Sequence, residues 1–314
     1  MAWSDRLATG LGGHRRMIQA RFLQIAACVG LLTTAPLAGA AAPSGSLVQT
    51  HLKYSNRSAL AEPVLRSSAA LVIDTTHSSV LYARRANVAL PIASITKLMT
   101  ALVVMDAGQP LDEPLVLDRT SGRGSVSRLT PGARLTRGDL MHLALMSSEN
   151  RAAYTLASNY PGGIPACVAA MNAKARELGM SNAHFVEPTG LSDGNVASPE
   201  DLSKLVVAAA KVATIREYST DSDYLVQVGR RMERFRNTDS LVSKPDWNIV
   251  VQKTGYIAHA GRCLVMQTVI EARTVVIVLL NSFGKQTRVA DARRIRRWVE
   301  ATLPLQIAAP AATT

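Results

Sequence analysis

A serine and a lysine in the first third of the chain have the types and spacing needed for acyl transfer. Ser94 and Lys97 lie three residues apart in a stretch whose apolar spacing predicts a helix, so both side chains would lie on one face. A hydroxyl beside an amine is a nucleophile beside a base. Because a chain of this length contains about one Ser-x-x-Lys match by chance, the pair alone does not establish a site.

Two later motifs strengthen this interpretation. The first is Ser148-Glu149-Asn150 and the second is Lys253-Thr254-Gly255-Tyr256. The order Ser-x-x-Lys, Ser-x-Asn, Lys-Thr-Gly is typical of serine enzymes that are acylated by β-lactams. Another Ser-x-x-Lys match begins at Ser282, but it follows the Lys-Thr-Gly motif and contains a glycine where a helical turn is needed. The motif order therefore selects Ser94 as the candidate nucleophile.

Lys97 can act as a base only if its pKa is lowered. A free lysine has a pKa of about 10.4, so that about one in 2,500 is neutral at pH 7, and a pKa of about 7 costs roughly 4–5 kcal/mol. Burial against Leu98 and Leu102, together with a second cation, would produce such a shift. Lys253 is the candidate second cation, and we expect both lysines to lie in one site.

The other motif residues suit the remaining steps of acyl transfer. Ser148 can relay a proton between the lysines and a leaving amine, and the Asn150 amide can orient Lys97 and bind a substrate carbonyl. Lys253 and Thr254 would hold a terminal carboxylate through charge and a hydroxyl group.

The Lys-Thr-Gly motif is predicted to lie on a strand along which an extended peptide could pair. Gly255 would let a ligand approach the backbone closely. The N–H groups of Ser94 and Tyr256 are the predicted oxyanion hole, in which one donor typically stabilises the transition state by about 3–4 kcal/mol.

The elements that would position these motifs are strands from both ends of the chain and helices from its middle. Strand patterns lie at residues 69–74, 80–84, 224–228, 231–235, 248–256, 263–270 and 274–280. Thr136 and Ser198, each followed three residues later by Asp, are predicted N-caps of middle helices. The sequence therefore predicts an α+β fold, with an antiparallel sheet from both chain ends flanked by helices and a mostly helical lobe inserted in the middle.

The N-terminus has the pattern of a secretory signal. Three arginines precede an apolar run at residues 25–32, and Ala38-Gly39-Ala40 is a small-residue cleavage pattern. We expect export and cleavage near Ala40, with an uncleaved membrane anchor as the alternative. The predicted organisation is a signal peptide at 1–40, a linker at 41–66, a folded domain at 67–303 and a disordered tail at 304–314.

Composition restricts the partners. The formal charge of +12 over 314 residues suits an anionic partner, unless it serves solubility alone. Aromatic residues make up only 4% of the sequence and no nucleic-acid motif is present, which argues against nucleic acid. No His/Cys cluster has metal-ligand spacing, so neither a metal nor a cofactor is expected. Cys167 and Cys263 are predicted to be free buried thiols, with a disulfide as the alternative in an exported protein.

On these motifs the sequence resembles the low-molecular-mass penicillin-binding proteins of the serine D-alanyl-D-alanine peptidase family. The resemblance covers roughly residues 65–300, and the shared stretches are 91–101, 143–153, 185–191 and 252–261. It implies a β-lactamase/transpeptidase-like fold, with Ser94 as nucleophile and Lys97 as general base. It also implies a periplasmic enzyme that cleaves peptidoglycan stem or cross-link peptides and is acylated by β-lactams. The residues that would complete the site are Ser148, Asn150, Lys253 and Thr254.

Several activities share these motifs. The longer carboxypeptidases of the family carry a C-terminal β domain and an amphipathic anchor, whereas about a dozen residues follow the last predicted helix here. We therefore expect an endopeptidase with at most loose membrane association, and a carboxypeptidase is the alternative. A β-lactamase would need a deacylating carboxylate, and the context of the one candidate, Glu187, resembles the peptidases. A non-catalytic peptidoglycan-binding protein would have a broken motif, and a Ser-His-Asp hydrolase using His142 or His259 would be expected to carry Gly-x-Ser-x-Gly.

Overall fold

The computed structural model describes the backbone of residues 53–54, 61–118 and 127–308, and the side chains of 61–118 and 127–302. The predicted signal peptide, most of the predicted linker and residues 309–314 lie outside the described residues. The strands are β1 (Lys53–Tyr54), β2 (Ser67–Asp74), β3 (Ser79–Arg84), β4 (Leu90–Pro91), β5 (Pro114–Val116), β6 (Arg134–Thr136), β7 (Val196–Ala197), β8 (Asp223–Val228), β9 (Arg231–Arg236), β10 (Asn248–Ile257), β11 (Gly261–Ile270) and β12 (Arg273–Ser282). The helices are α1 (Thr96–Asp106), α2 (Arg137–Met146), α3 (Asn150–Ser158), α4 (Gly163–Glu177), α5 (Pro199–Ala209), α6 (Ala213–Thr220) and α7 (Thr287–Ala308).

The main sheet joins the two ends of the chain. Its strand order is β1-β3-β2-β12-β11-β10, and all pairs are antiparallel except β1 with β3. The central pair is β2 with β12, in register at Leu71 and Val278. This arrangement confirms the predicted antiparallel sheet built from both chain ends. The short strand β1 lies inside the stretch predicted as a linker.

Both faces of this sheet are covered by helices. Leu71 and Ile73 of β2 point into a core shared with the middle helices, whereas Val72 points to the other face and packs with Ile295 and Val299 of α7. Burial on both faces explains why β2 and β12 read as continuous apolar runs rather than alternating ones. The helix α7 continues six residues beyond the predicted end at Thr302.

The helix α1 lies at the centre of the helical lobe. Residues 96–104 are all buried, which is expected of a helix surrounded by others. It packs against α2, α3, α4 and α5. The predicted N-caps of α2 and α5 are confirmed, since Thr136 and Ser198 each form a capping box with the Asp three residues later. The first turn of α1 is therefore held in a rigid frame, which is a suitable place for reacting groups.

Candidate active site

The structure brings Ser94 and Lys97 into contact at the start of α1. Ser94 is half-buried in a 3-10 turn at Ala93–Ile95, and Lys97 lies in the first turn of the helix. Lys97 Nζ donates to Ser94 Oγ at 2.9 Å, to Asn150 Oδ1 at 2.7 Å and to the carbonyl oxygen of Thr189 at 2.5 Å. Three separate segments of the chain thus meet on one amine.

Burial sets the protonation of Lys97. The side chain is 1% exposed, and this burial lowers its pKa to about 7, although the carboxylates of Glu187 and Glu149 act in the opposite direction. The pKa of Lys253 also lies well below its usual range, first because of burial and then because of the positive charges of Lys97 and Arg288. The sequence predicted that burial together with a second cation would lower the pKa of Lys97. In the structure burial is the cause, and the charge of Lys97 acts on Lys253.

The turn between α2 and α3 carries the Ser-x-Asn motif. Ser148 has a left-handed backbone with φ of 62°, a conformation that costs about 1–3 kcal/mol for a non-glycine residue. The backbone N–H of the next residue, Glu149, donates a hydrogen bond to the carbonyl oxygen of Leu143. Helix α3 then begins with Asn150, whose side chain faces Lys97. The half-buried hydroxyl of Ser148 has no hydrogen-bond partner among the described residues. It remains able to contact a substrate.

The Lys-Thr-Gly motif lies on β10, the edge strand of the main sheet. A Cβ atom at Gly255 would lie 2.9 Å from the carbonyl oxygen of Ile92 and 3.1 Å from the nitrogen of Ser94. Gly190 packs against the same turn, where an added Cβ would lie 2.0 Å from the carbonyl oxygen of Ala93. Two glycines therefore let two backbone segments touch the turn that holds the serine.

Polar contacts from neighbouring elements hold the part of β10 that carries the Lys-Thr-Gly motif. Arg288 of α7 is buried and donates to the carbonyl oxygen of Gly255 at 3.0 Å. Lys253 Nζ donates to the carbonyl oxygen of Thr254 at 3.1 Å. The hydroxyl oxygens of Thr254 and Thr238 lie 2.6 Å apart. Neither Arg288 nor Thr238 belongs to a sequence motif, because each reaches the site through a contact between residues that are distant in the sequence.

A loop at residues 185–195 contributes a part of the site that the motifs do not reveal. The Glu187 carboxylate accepts hydrogen bonds from the backbone N–H and hydroxyl of Thr189, at 2.7 and 2.5 Å. Asn195 Nδ2 donates to Glu187 Oε1 at 2.9 Å and to Thr96 Oγ1 at 3.0 Å, and so ties the loop to α1. Both oxygens of Glu187 are occupied by the loop itself, which leaves this carboxylate without the geometry of a deacylating base.

The two histidines considered for a Ser-His-Asp site lie elsewhere. The ring of His142 stacks between Tyr218 and Tyr224, with centroid distances of 4.5 and 4.0 Å. His259 is exposed and pairs with Asp193 at 2.8 Å. Neither ring forms a hydrogen bond with Ser94 within the described part of the chain, and the Ser-His-Asp alternative therefore has no geometric support.

Three further observations concern the cysteines, metal-binding clusters and membrane spans of the described residues. Cys167 and Cys263 are both free and buried, as predicted. Within residues 61–118 and 127–302, no group of three or more His, Cys, Asp or Glu side chains could hold a metal ion. A membrane-spanning helix, long and apolar enough to cross a bilayer, does not occur in the segments that the structure describes.

Known proteins are similar to this chain in sequence. The family model for D-alanyl-D-alanine carboxypeptidase matches residues 56–284. A D-alanyl-D-alanine endopeptidase from Pseudomonas aeruginosa is 49% identical over 241 residues, which cover 75% of this chain and 78% of the relative. A D-alanyl-D-alanine endopeptidase from Escherichia coli K12 is 46% identical over 244 residues, covering 76% and 79%.

A solved structure gives the same result for the fold. Penicillin-binding protein D2 from Listeria monocytogenes, in its cefotaxime-bound form, superposes with a TM-score of 0.69 at 25% identity. The superposition covers 76% of this chain and 98% of that one. The β-lactamase/transpeptidase-like fold expected from the motifs is thereby confirmed.

Proposed function

Since the chain belongs to the D-alanyl-D-alanine carboxypeptidase family of serine peptidases, we propose that it cuts D-alanyl cross-link peptides of peptidoglycan through an acyl-enzyme on Ser94. The observation that carries this proposal is the buried Lys97 amine 2.9 Å from the Ser94 hydroxyl. The names of the two endopeptidase relatives support the endopeptidase activity. Carboxypeptidase activity is the second candidate, because the family model carries that name.

Acylation begins with neutral Lys97. Two of its N–H groups donate to Asn150 Oδ1 and to the carbonyl oxygen of Thr189, which leaves the nitrogen lone pair directed at Ser94. The amine takes the hydroxyl proton while Oγ attacks the carbonyl carbon of the scissile bond. The resulting ammonium then donates three hydrogen bonds, one of them to Oγ. The N–H groups of Ser94 and Tyr256 receive the oxyanion.

The tetrahedral intermediate then collapses. The C–N bond breaks as Ser148 donates its proton to the leaving amine, and Lys97 and Lys253 relay a replacement proton to Ser148. The acyl group remains on Ser94 as an ester. A water molecule then attacks the ester carbonyl and gives its proton to Lys97, which returns it to Ser94 Oγ as the C–O bond breaks. Glu187 does not transfer a proton in either step, because its oxygens accept hydrogen bonds from the loop.

Substrate binding uses the edge strand. The free edge of β10 lets an extended peptide pair with the backbone beside Ser94. Lys253 and Thr254 hold the carboxylate of the leaving residue, with the charge of Arg288 behind the strand. A β-lactam presents the same arrangement of amide and carboxylate, and acts as a covalent inhibitor.

The place of action follows from the N-terminus. The signal pattern at residues 1–40 directs export, so that the folded domain meets peptidoglycan in the periplasm.

A digest of peptidoglycan tests the proposed activity. The purified enzyme is incubated with cross-linked muropeptide dimers, and the products are identified by mass. We expect monomers produced by hydrolysis of the D-alanyl–diaminopimelyl bridge. Release of terminal D-alanine alone, with intact dimers, would instead establish the carboxypeptidase alternative.

A further inference from the structure

An exposed tyrosine and a half-buried arginine continue the catalytic strand beyond the oxyanion hole. Tyr256 follows Gly255 on β10 and is 57% exposed. Its cross-strand partner on β11 is Arg262, whose guanidinium carbon lies 4.6 Å from the centre of the tyrosine ring. A guanidinium group stacked on an aromatic face is held in place and keeps its N–H groups available at the edge.

Arg262 has no carboxylate of its own within the described part of the chain. Some arginines of the same sheet and its covering helix do have carboxylate partners, such as Arg273 with Asp74 at 2.9 Å and Arg294 with Asp291 at 2.6 Å. Asp193 of the 185–195 loop pairs instead with His259, which lies in the turn between β10 and β11. The positive charge of Arg262 also reaches Arg288, whose pKa is lowered first by burial and then by Arg262, while the charge of Asp239 acts in the opposite direction. The guanidinium group of Arg262 therefore lies beside the motif strand without a carboxylate partner among the described residues.

The direction of the bound peptide places Tyr256 and Arg262 on one side of the scissile bond. Thr254 holds the carboxylate of the leaving residue, and the N–H of Tyr256 receives the scissile carbonyl oxygen. Continuing along β10 in the same direction leads to the acyl side of the substrate. With a rise of about 3.3 Å per residue, the side chains of Tyr256 and Arg262 lie within about two substrate residues of the scissile carbonyl.

We propose that Tyr256 and Arg262 form a subsite for a carboxylate carried by the acyl-side peptide, one or two residues before the scissile bond. The proposal rests on the proposed function, because peptidoglycan stem peptides carry free carboxylates next to the D-alanine that is transferred to the serine. Arginine binds a carboxylate through two parallel hydrogen bonds, which gives both affinity and orientation. The subsite selects anionic stem peptides over their amidated forms.

Two cross-linked dimers test the subsite. They differ only in the acyl-side diaminopimelyl residue, whose side chain ends in a free carboxylate in one and in a carboxamide in the other. We expect wild-type kcat/KM to be about tenfold higher for the carboxylate dimer, as one charge-assisted hydrogen bond would give. Arg262→Ala should bring the ratio close to one, and Arg262→Lys, which keeps the charge without the planar fork, should leave part of it.

Arg293→Ala is the matched control, because Arg293 is an exposed arginine of α7 that faces none of the site residues. It should keep the wild-type ratio. A wild-type enzyme without preference, or an Arg262→Ala enzyme that keeps the preference, would overturn the subsite. If the wild type cuts neither dimer, the endopeptidase proposal fails. The same ratio is then measured with two pentapeptides ending in D-alanyl-D-alanine, and the subsite is judged on D-alanine release.

Discussion

The carbonyl oxygen of Thr189 accepts a hydrogen bond from Lys97 Nζ at 2.5 Å, across a sequence separation of 92 residues. This contact joins the 185–195 loop to the amine that we propose as the base. Together with Asn150 it occupies two of the three positions around the amine, so that only the third faces Ser94. The loop keeps its shape through Glu187, whose negative charge also opposes the lowering of the Lys97 pKa. Glu187 therefore has a structural effect and an electrostatic effect on the same amine.

Glu187→Gln separates these two effects. The substitution removes a negative charge that raises the pKa of Lys97, so the acidic limb of the pH–rate profile should move to lower pH. The glutamine N–H₂ group cannot accept the hydrogen bonds of Thr189, so the maximal acylation rate should fall by about tenfold. The measurement is the second-order rate constant of penicillin acylation between pH 5 and 9. An acidic limb that moves to higher pH would contradict the electrostatic assignment.

The pKa of Lys97 also predicts how the acylation rate of the wild-type enzyme depends on pH. Because burial lowers the pKa of Lys97 to about 7, the rate of acylation should rise as pH increases through about 7 and level off above it. A profile that is flat from pH 5 to 9 would show that Lys97 does not titrate in the step that acylates Ser94.

Lys97→Met should stabilise the protein while it abolishes acylation. The unfolded lysine, with a pKa of 10.5, holds a proton that the folded one releases near pH 7. The folding free energy therefore includes a penalty of about 4–5 kcal/mol at and below pH 7, which shrinks as the pH rises from 7 towards 10.5. Methionine has a similar length and no charge to desolvate, and it loses the three hydrogen bonds of the amine. We expect a net gain of about 1–3 kcal/mol at pH 7. Urea unfolding measures it, and a loss of stability would contradict the burial argument.

Local patterns in the sequence predicted the frame of the molecule well. The strands of the meander, the hairpin β8–β9 and the caps at Thr136 and Ser198 depend on periodicity and on bonds within a few residues. The helix α6 was missed because it has eight residues, no side-chain cap and only two buried positions, Ile215 and Ser219. Its position depends on packing against α2 and β10 rather than on a local signal.

The candidate site was predictable only where its residues belong to motifs. Ser94, Lys97 and Asn150 were identified by spacing and order, and they meet in the structure. Arg288 contacts Gly255 from 33 residues away, and no short pattern marks such a contact. Glu187 was considered only as a deacylating carboxylate. Two signals were available: the stretch 185–191 resembles the peptidase family, and it contains Gly190, since a glycine often marks a close backbone approach.

Ser94→Ala is the direct test of the nucleophile. Fluorescent penicillin should label the wild-type protein, and peptide mapping should place the adduct on Ser94. The alanine variant should show no labelling, because the ester oxygen is gone, while its unfolding curve stays close to that of the wild type. Labelling that persists in the variant would move the acylation to another residue.

Gly190→Ala should inactivate the enzyme through geometry alone. Gly190 has φ of 83°, and an added Cβ would lie 2.0 Å from the carbonyl oxygen of Ala93 and 2.8 Å from the nitrogen of Ser94, so the serine turn must move. A displacement of about 1 Å in a reacting group costs on the order of a hundredfold in rate. Gly179→Ala is the matched control, because φ is 68° and the nearest atom is the flexible Lys204 Nζ at 3.8 Å. Both variants should lose about 1–2 kcal/mol from the left-handed backbone. Only Gly190→Ala should lower penicillin acylation by about a hundredfold, and equal acylation in the two variants would show that Gly190 does not position Ser94.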